Sequence, residues 1–218
     1  AHIARVEMEV FDLNLGVQLR IFQVAVVNGD LKNPQLNAKI KVEDFHFNTG
    51  YMGTAHILGG WSKEEGRINL DAHIVEDGVG YTDVLGFVSL AEKGLDLDIK
   101  SEQTTLQFLK PYIGHIFTNL DGRTTGRMRL HGPFKKLDFV GEETASISAH
   151  LDVTGVDYTL TDGRVHVRPG VFEFADFKVA DKKGKGTGIA AGALHHDHLK
   201  NLRYEFNLDV NNLLLYDR

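Results

Sequence analysis

The sequence predicts an all-β protein, a long antiparallel meander with one apolar and one polar face. Three observations carry this reading: period-two alternation through most of the chain, tight-turn pairs that punctuate it, and a single short stretch of helical period. The alternation is plainest at 202–210, where Leu202, Tyr204, Phe206, Leu208 and Val210 alternate with Arg203, Glu205, Asn207 and Asp209. Successive side chains of a strand point to opposite faces, so this pattern makes a ribbon with one greasy side and one wet side. Repeated many times it describes a large half-wet sheet, which either covers its apolar face with a second layer or uses that face to hold something apolar.

Taken in order, the same pattern marks strands at 8–15, 17–24, 36–42, 68–74, 95–99, 127–130, 146–153, 165–167 and 171–174. About 14 strands fit between the turn signals. Asn28-Gly29, Asp77-Gly78, Asp121-Gly122 and Asp162-Gly163 tolerate the positive φ of a tight hairpin, and Pro169-Gly170 marks a bend. Strands joined by such turns are antiparallel neighbours, so sheet order should follow chain order. Over 102–117 the period changes. Leu106, Leu109, Ile113 and Phe117, with Phe108 and Tyr112 beside them, recur at three and four positions and predict a short amphipathic helix, opened at Ser101-Glu102 and interrupted by Pro111. That helix is placed either over the mouth of a curved sheet or on an ordinary core.

The 218 residues suit one large all-β domain or two small domains, and 42% hydrophobic with 25% charged residues argues against a disordered chain. A net charge of -6 argues against a nucleic-acid partner, which asks for a basic face. With no cysteine, disulfides, cysteine nucleophiles and cysteine metal sites are excluded, while cytosol and periplasm fit equally. No apolar run approaches the roughly 20 residues that cross a bilayer, and residues 1–10 have no signal-peptide core. The chain begins at Ala1, which suggests a section of a longer protein.

Candidate chemistry is thin. His195-His196-Asp197-His198 holds metal-ligand types, but in a strand His195 and Asp197 face one way and His196 and His198 the other, so at most two share a metal, and a polar bend is the simpler reading. Lys183-Gly184-Lys185-Gly186-Thr187-Gly188 lacks phosphate-loop spacing, because Val179 stands where the first glycine belongs and Gly186 replaces the hydroxyl residue; it reads as a hairpin tip. No nucleophile elbow is present, and no Ser, His and acid set is nominated by spacing. Asp96, Asp98, Glu7 and Glu9 alternate with apolar residues as solvated strand positions, and Trp61 beside Gly59-Gly60 is either a sugar-stacking platform or a core or rim aromatic. No enzyme, cofactor or metal is expected.

The stretch 122–141 is a unit of turn, strand, turn, strand, punctuated by Gly122, Gly126, Gly132-Pro133 and Gly141, with Met128, Leu130, Leu137 and Phe139 as inward candidates. This unit resembles the repeating element of the TamB / AsmA-like family of Gram-negative envelope proteins, whose TamB members belong to the translocation and assembly module. Further similar stretches are Pro111-Tyr112-Ile113 with Ile116-Phe117, Val167-Arg168-Pro169-Gly170, Gly186-Thr187-Gly188, Gly192-Ala193-Leu194-His195, and 199–204 leading to Asn211-Asn212-Leu213-Leu214. The resemblance covers residues 87–218; residues 1–86 share only the alternation. No single motif in it is specific, and its order and spacing carry it.

The resemblance implies a β-taco, a long sheet curved into an open groove with an apolar lining, formed over 1–218 as one section of a larger protein. It implies a periplasmic location in a protein anchored to the inner membrane, phospholipid as cargo, and an outer-membrane barrel protein as partner. The residues expected to line the groove and bind lipid are Leu95, Leu97, Ile99, Met128, Leu130, Tyr204, Phe206, Leu208 and Val210. Two alternatives stay open: a scaffold for outer-membrane protein assembly that pairs strand edges with clients, and an unrelated closed β-sandwich whose apolar faces form a binding module's core. About 14 strands near 4.8 Å apart stack to roughly 65 Å, a section of a bridge across an envelope. A meander so cut has two unpaired edges, which predicts end-to-end or domain-swapped contacts.

Overall fold

The computed structural model describes residues 8–9, 17–18, 20–21, 23–27, 37–47, 50–76, 78–110, 117–182, 186–198 and 200–216. Four short strands come first, β1 (Met8–Glu9), β2 (Val17–Gln18), β3 (Arg20–Ile21) and β4 (Gln23–Val27). Eleven long ones come after them: β5 (Asn37–Phe47), β6 (Gly50–Ser62), β7 (Arg67–Glu76), β8 (Gly80–Ser89), β9 (Gly94–Thr105), β10 (Phe117–Pro133), β11 (Asp138–Leu151), β12 (Val156–Arg168), β13 (Val171–Asp181), β14 (Thr187–Asp197) and β15 (Lys200–Asn211). Strands β5 to β15 form one antiparallel sheet in chain order; β2 and β4 pair with β5, and β1 with β3 in a separate ladder. The sheet is open, because β15 at one end does not return to pair with the other end. This is the all-β meander the alternation predicts.

Register explains why one face is apolar. Ile40, Ile57, Ala72, Val84, Ile99 and Met128 lie opposite one another across β5 to β10, and Gly141, Val167, Phe172, Leu194 and Tyr204 continue the row to β15. One residue along, the row reads Lys41, His56, His73, Asp83, Lys100, Arg127, then Glu142, His166, Glu173, Ala193 and Glu205. Partners in antiparallel strands share a face, so the first row lines an inner surface and the second an outer one. A slip of one residue in any ladder would exchange the two.

The sheet is also sharply curled. Strands β6 and β9 are three places apart, about 14 Å in a flat sheet, yet their Cα atoms approach within 8 Å. The Arg123 guanidinium of β10 makes a bidentate pair with Glu76 of β7, again three strands away. Left-handed backbone at Gln103, Asp162 and Asp176 marks bulges that tighten the bend.

Several boundaries differ from expectation. Residues 102–105 of the predicted helix belong to β9, where Glu102 pairs with Tyr81 and Thr104 with Thr124, so the strand's hydrogen bonds outweigh a periodicity that begins only at Leu106. Past Leu106 the chain makes one 3-10 turn, Gln107–Leu109; residues 111–116 lie outside the described residues. Asp121-Gly122 lies inside β10, and Asp162-Gly163 inside β12 at a bulge, because left-handed Asp162 inserts a residue there instead of reversing the chain. Gly78 and Pro169-Gly170 do turn the chain, with Gly78 at φ 70° and Gly170 at φ 76°. The strand predicted at 146–153 ends at Leu151, since Asp152 and Val153 enter the next turn. Of the strand predicted at 8–15, only Met8–Glu9 is described; that predicted at 17–24 is described as three short pieces. Asn28-Gly29 and Glu7 fall outside the described residues.

Candidate functional site

The inner face divides into two halves along the strand direction. At the half holding the ends of β5, β7 and β9, residues 106–110, the described part of the connection between β9 and β10, lie over the face. Phe108 packs on a cluster of Val42, Phe45, Met52, Ala55 and Ile74, while Leu106 joins Ala145 and Phe177 in a second cluster. The crossing backbone lies so close to β6 that a Cβ on Gly50 would sit 2.4 Å from the Phe108 amide. Beyond β15 the chain turns inward at Asn212 (φ 57°), and Leu213 closes a third cluster with Val156, Tyr158 and Val179. Tyr158 donates its hydroxyl hydrogen to the Leu214 carbonyl at 2.7 Å, and Asp181 accepts from the Leu214 amide at 3.0 Å.

The other half has no such cover among the described residues. Leu95, Leu97 and Ile99 on β9 stand directly opposite Gly132, Leu130 and Met128 on β10, all half-buried. Phe139, Phe172 and His196 form one ring stack and Phe174, Phe206 and Tyr204 another, with centroids 5.1–6.2 Å apart. On β15 Tyr204 and Phe206 remain 57% and 61% exposed, while Leu208 and Val210, opposite Ala190 and Gly188 at the level of the covered half, remain 49% and 37% exposed. Thus the structure brings the nine residues nominated from sequence onto one face of one sheet. Phe172, Phe174, Leu194 and Trp61 also line it, and the alternation in β6, β13 and β14 carries the signal for each. Glycine makes room here: a Cβ on Gly192 would meet the Phe206 ring at 2.7 Å.

Between the halves runs a polar row. Thr82, Ser101, Gly126 and Glu143 are opposite one another across β8 to β11. Glu143 is only 6% exposed; its Oε2 accepts from the Thr124 hydroxyl at 2.8 Å, and its Oε1 has no hydrogen-bond partner. Burial pushes this carboxyl above its ordinary range, and the hydrogen bond from Thr124 offsets that only in part. Thr82 and Thr104 share a hydroxyl bond of 2.7 Å beside it. Ser101, expected to open a helix, is instead a buried strand residue, because it sits at an inner position of β9.

The remaining sequence candidates disperse. His195 points outward to Glu205 at 3.2 Å, His196 is buried against the Phe172 ring with its imidazole pushed below its ordinary value by burial, and His198 approaches Asp138 at 3.4 Å. Among the described residues no three such side chains converge as metal ligands. Asp96 faces outward and accepts from Arg129 Nε at 2.6 Å, and Asp98 is solvated. Trp61 is half-buried, opposite Ile68 on the inner rim. Residues 183–185 lie outside the described residues; Gly186 is buried, its place for a Cβ 2.3 Å from the Asn212 carbonyl. On the outer face, away from the apolar inner row, a depression of about 700 Å³ is lined by Leu58, Leu85 and Phe87, with Arg67 stacked 4.2 Å over the Phe87 ring.

Among the described residues no helix is long and apolar enough to cross a membrane. No family model, curated protein or solved structure matches the chain.

Proposed function

We propose that this chain is one section of a periplasm-spanning bridge that shields phospholipid acyl chains on their way between the inner and outer membranes, in a protein anchored to the inner membrane and working with an outer-membrane barrel partner. The observation that carries the reading is the uncovered half of the inner face, where an apolar row runs from Ile99 on β9 through Met128, Val167, Phe172 and Leu194 to Tyr204 on β15, with Gly141 within it, on a curled, open sheet. The resemblance to the TamB / AsmA-like family points the same way. In the open half of β9 the span from Gly94 to Ile99 rises about 17–20 Å, close to the roughly 15 Å of one hydrocarbon leaflet. An acyl chain laid along the strands fits that depth. Each methylene buried adds roughly 0.8 kcal/mol, so retention needs only a continuous lining, and neither a nucleophile nor a metal enters the mechanism.

The test is mass spectrometry of phospholipid co-purified with the chain and with the Leu97→Asp, Met128→Asp and Phe206→Asp variants. The expected result is bound phospholipid in the parent and its loss in each variant, with unfolding still cooperative. If the parent carries none and the variants unfold, the face is a closed core and the reading fails.

A further inference from the structure

We propose that the free edge of β15 pairs with β15 of a second copy of this chain, antiparallel, about a two-fold axis through Phe206. Strand β15 stands at the end of the described sheet and is twelve residues long, and its residues 201–211 are exposed. A long exposed edge is a template for another strand. The described residues after it, 212–216, do not run alongside that edge, because Leu213 turns onto the inner face of β12 and β13. What singles out a second copy is the order of residues in β15 itself.

Centred on Phe206, the self-pairing sets Tyr204 against the partner's Leu208, Leu202 against the partner's Val210, and Phe206 against its own image. All of these lie on the inner face, so two apolar troughs join into one. On the outer face Glu205 meets the partner's Asn207, and Arg203 meets the partner's Asp209, twice by symmetry. Among the described residues neither Arg203 nor Asp209 has an ion pair within its own chain. Sliding the pairing by two residues one way sets Glu205 against Glu205, and the other way sets Glu205 against Asp209. Like charges directly opposite destabilise a ladder and opposite ones stabilise it, so charge selects the centred register. A two-fold normal to the sheet keeps inner side with inner side, as an isologous interface demands.

Sedimentation across a concentration series tests this with two charge reversals. The parent is expected to form dimers. Arg203→Asp and Asp209→Arg should each weaken self-association roughly tenfold or more, because each creates two like-charge contacts. Mixed in equal amounts, the two variants should restore dimers, since every Asp then faces an Arg. A second reading uses the absence of native cysteine: Phe206→Cys should oxidise to a cross-linked dimer, its two thiols facing one another, whereas Leu202→Cys, about 27 Å from its image, should not. A monomeric parent that Phe206→Cys fails to cross-link, growth past the dimer into filaments, or failure of the mixture to recover would overturn the pairing. Each readout is independent of lipid, so the lipid reading and this one stand or fall separately.

Discussion

The two halves of the inner face are built from the same alternating strands and differ only in what lies above them. In the covered half Phe177 is 3% exposed beneath Leu106, and its ring fills a place that a Cβ on Gly163 would enter at 2.2 Å. In the open half Leu97 has neighbours beside it, Gly86 and Leu130, and is only half-buried. Alternation dictates which side chains share a face; the cover decides whether that face is a core or a surface. Folding stability therefore resides in the covered half, and the apolar surface left over is free for another use.

The largest expected effect breaks that comparison directly. Phe177→Ala should cost about 3–5 kcal/mol, transfer energy plus the cavity left in a closed cluster. Leu97→Ala should cost about 1 kcal/mol, because solvent or ligand already meets that side chain and no cavity forms. Urea unfolding of both, read as midpoints at a common slope, measures the difference. Equal losses would mean that a layer covers Leu97 as well.

The polar row between the halves gives the next effect. Glu143 is buried and its carboxyl is held above the ordinary value, so the native state binds a proton that the unfolded chain has released. Its contribution is fully present below the unfolded value of 4.5 and is lost as pH rises through the higher folded value. Glu143→Gln should remove that loss and raise stability at neutral pH by about 1–3 kcal/mol, the range for a buried polar group left unpaired. His196 runs the other way: its lowered value makes stability fall as pH drops below 6.5. Stability against pH for Glu143→Gln and His196→Gln separates the two slopes, and a slope that survives Glu143→Gln unchanged would remove this residue from the account.

Much of the sheet is legible in the residues. The strands near 36–42, 68–74, 95–99, 171–174 and 202–210, their antiparallel order, and the shared face of Leu97, Met128 and Phe206 all come from a period of two. The curl and the cover are not legible. Curling depends on bulges such as Asp162-Gly163, whose left-handed backbone reads as a hairpin in the sequence. The cover depends on Leu106 and Leu213 meeting strands tens of residues away, and the polar residues 102–105, next to a helical period that starts at Leu106, do not advertise their strand pairing. Glu143 is partly legible: it falls in step with Phe139, Gly141 and Ala145 as an acid in an apolar row. Its neighbour Glu142 hides it, since a one-residue slip would exchange their faces.

The smallest effect concerns what holds the curl. Arg123 and Glu76 join β10 to β7 across two intervening strands, with a third Arg123 bond to the Gln103 carbonyl at 3.2 Å. Arg129 and Asp96 join neighbouring strands β10 and β9, which their backbone ladder already fixes. Both pairs are partly solvated, so each is weak and salt-sensitive. Glu76→Gln should nevertheless cost up to about 1 kcal/mol, because it loosens strands that no ladder connects, and Asp96→Asn should cost less. Thermal unfolding in low and high salt compares them. If Asp96→Asn proves the more damaging, the bend is held by bulges and the Leu106 crossing alone, and the long-range ion pair only decorates it.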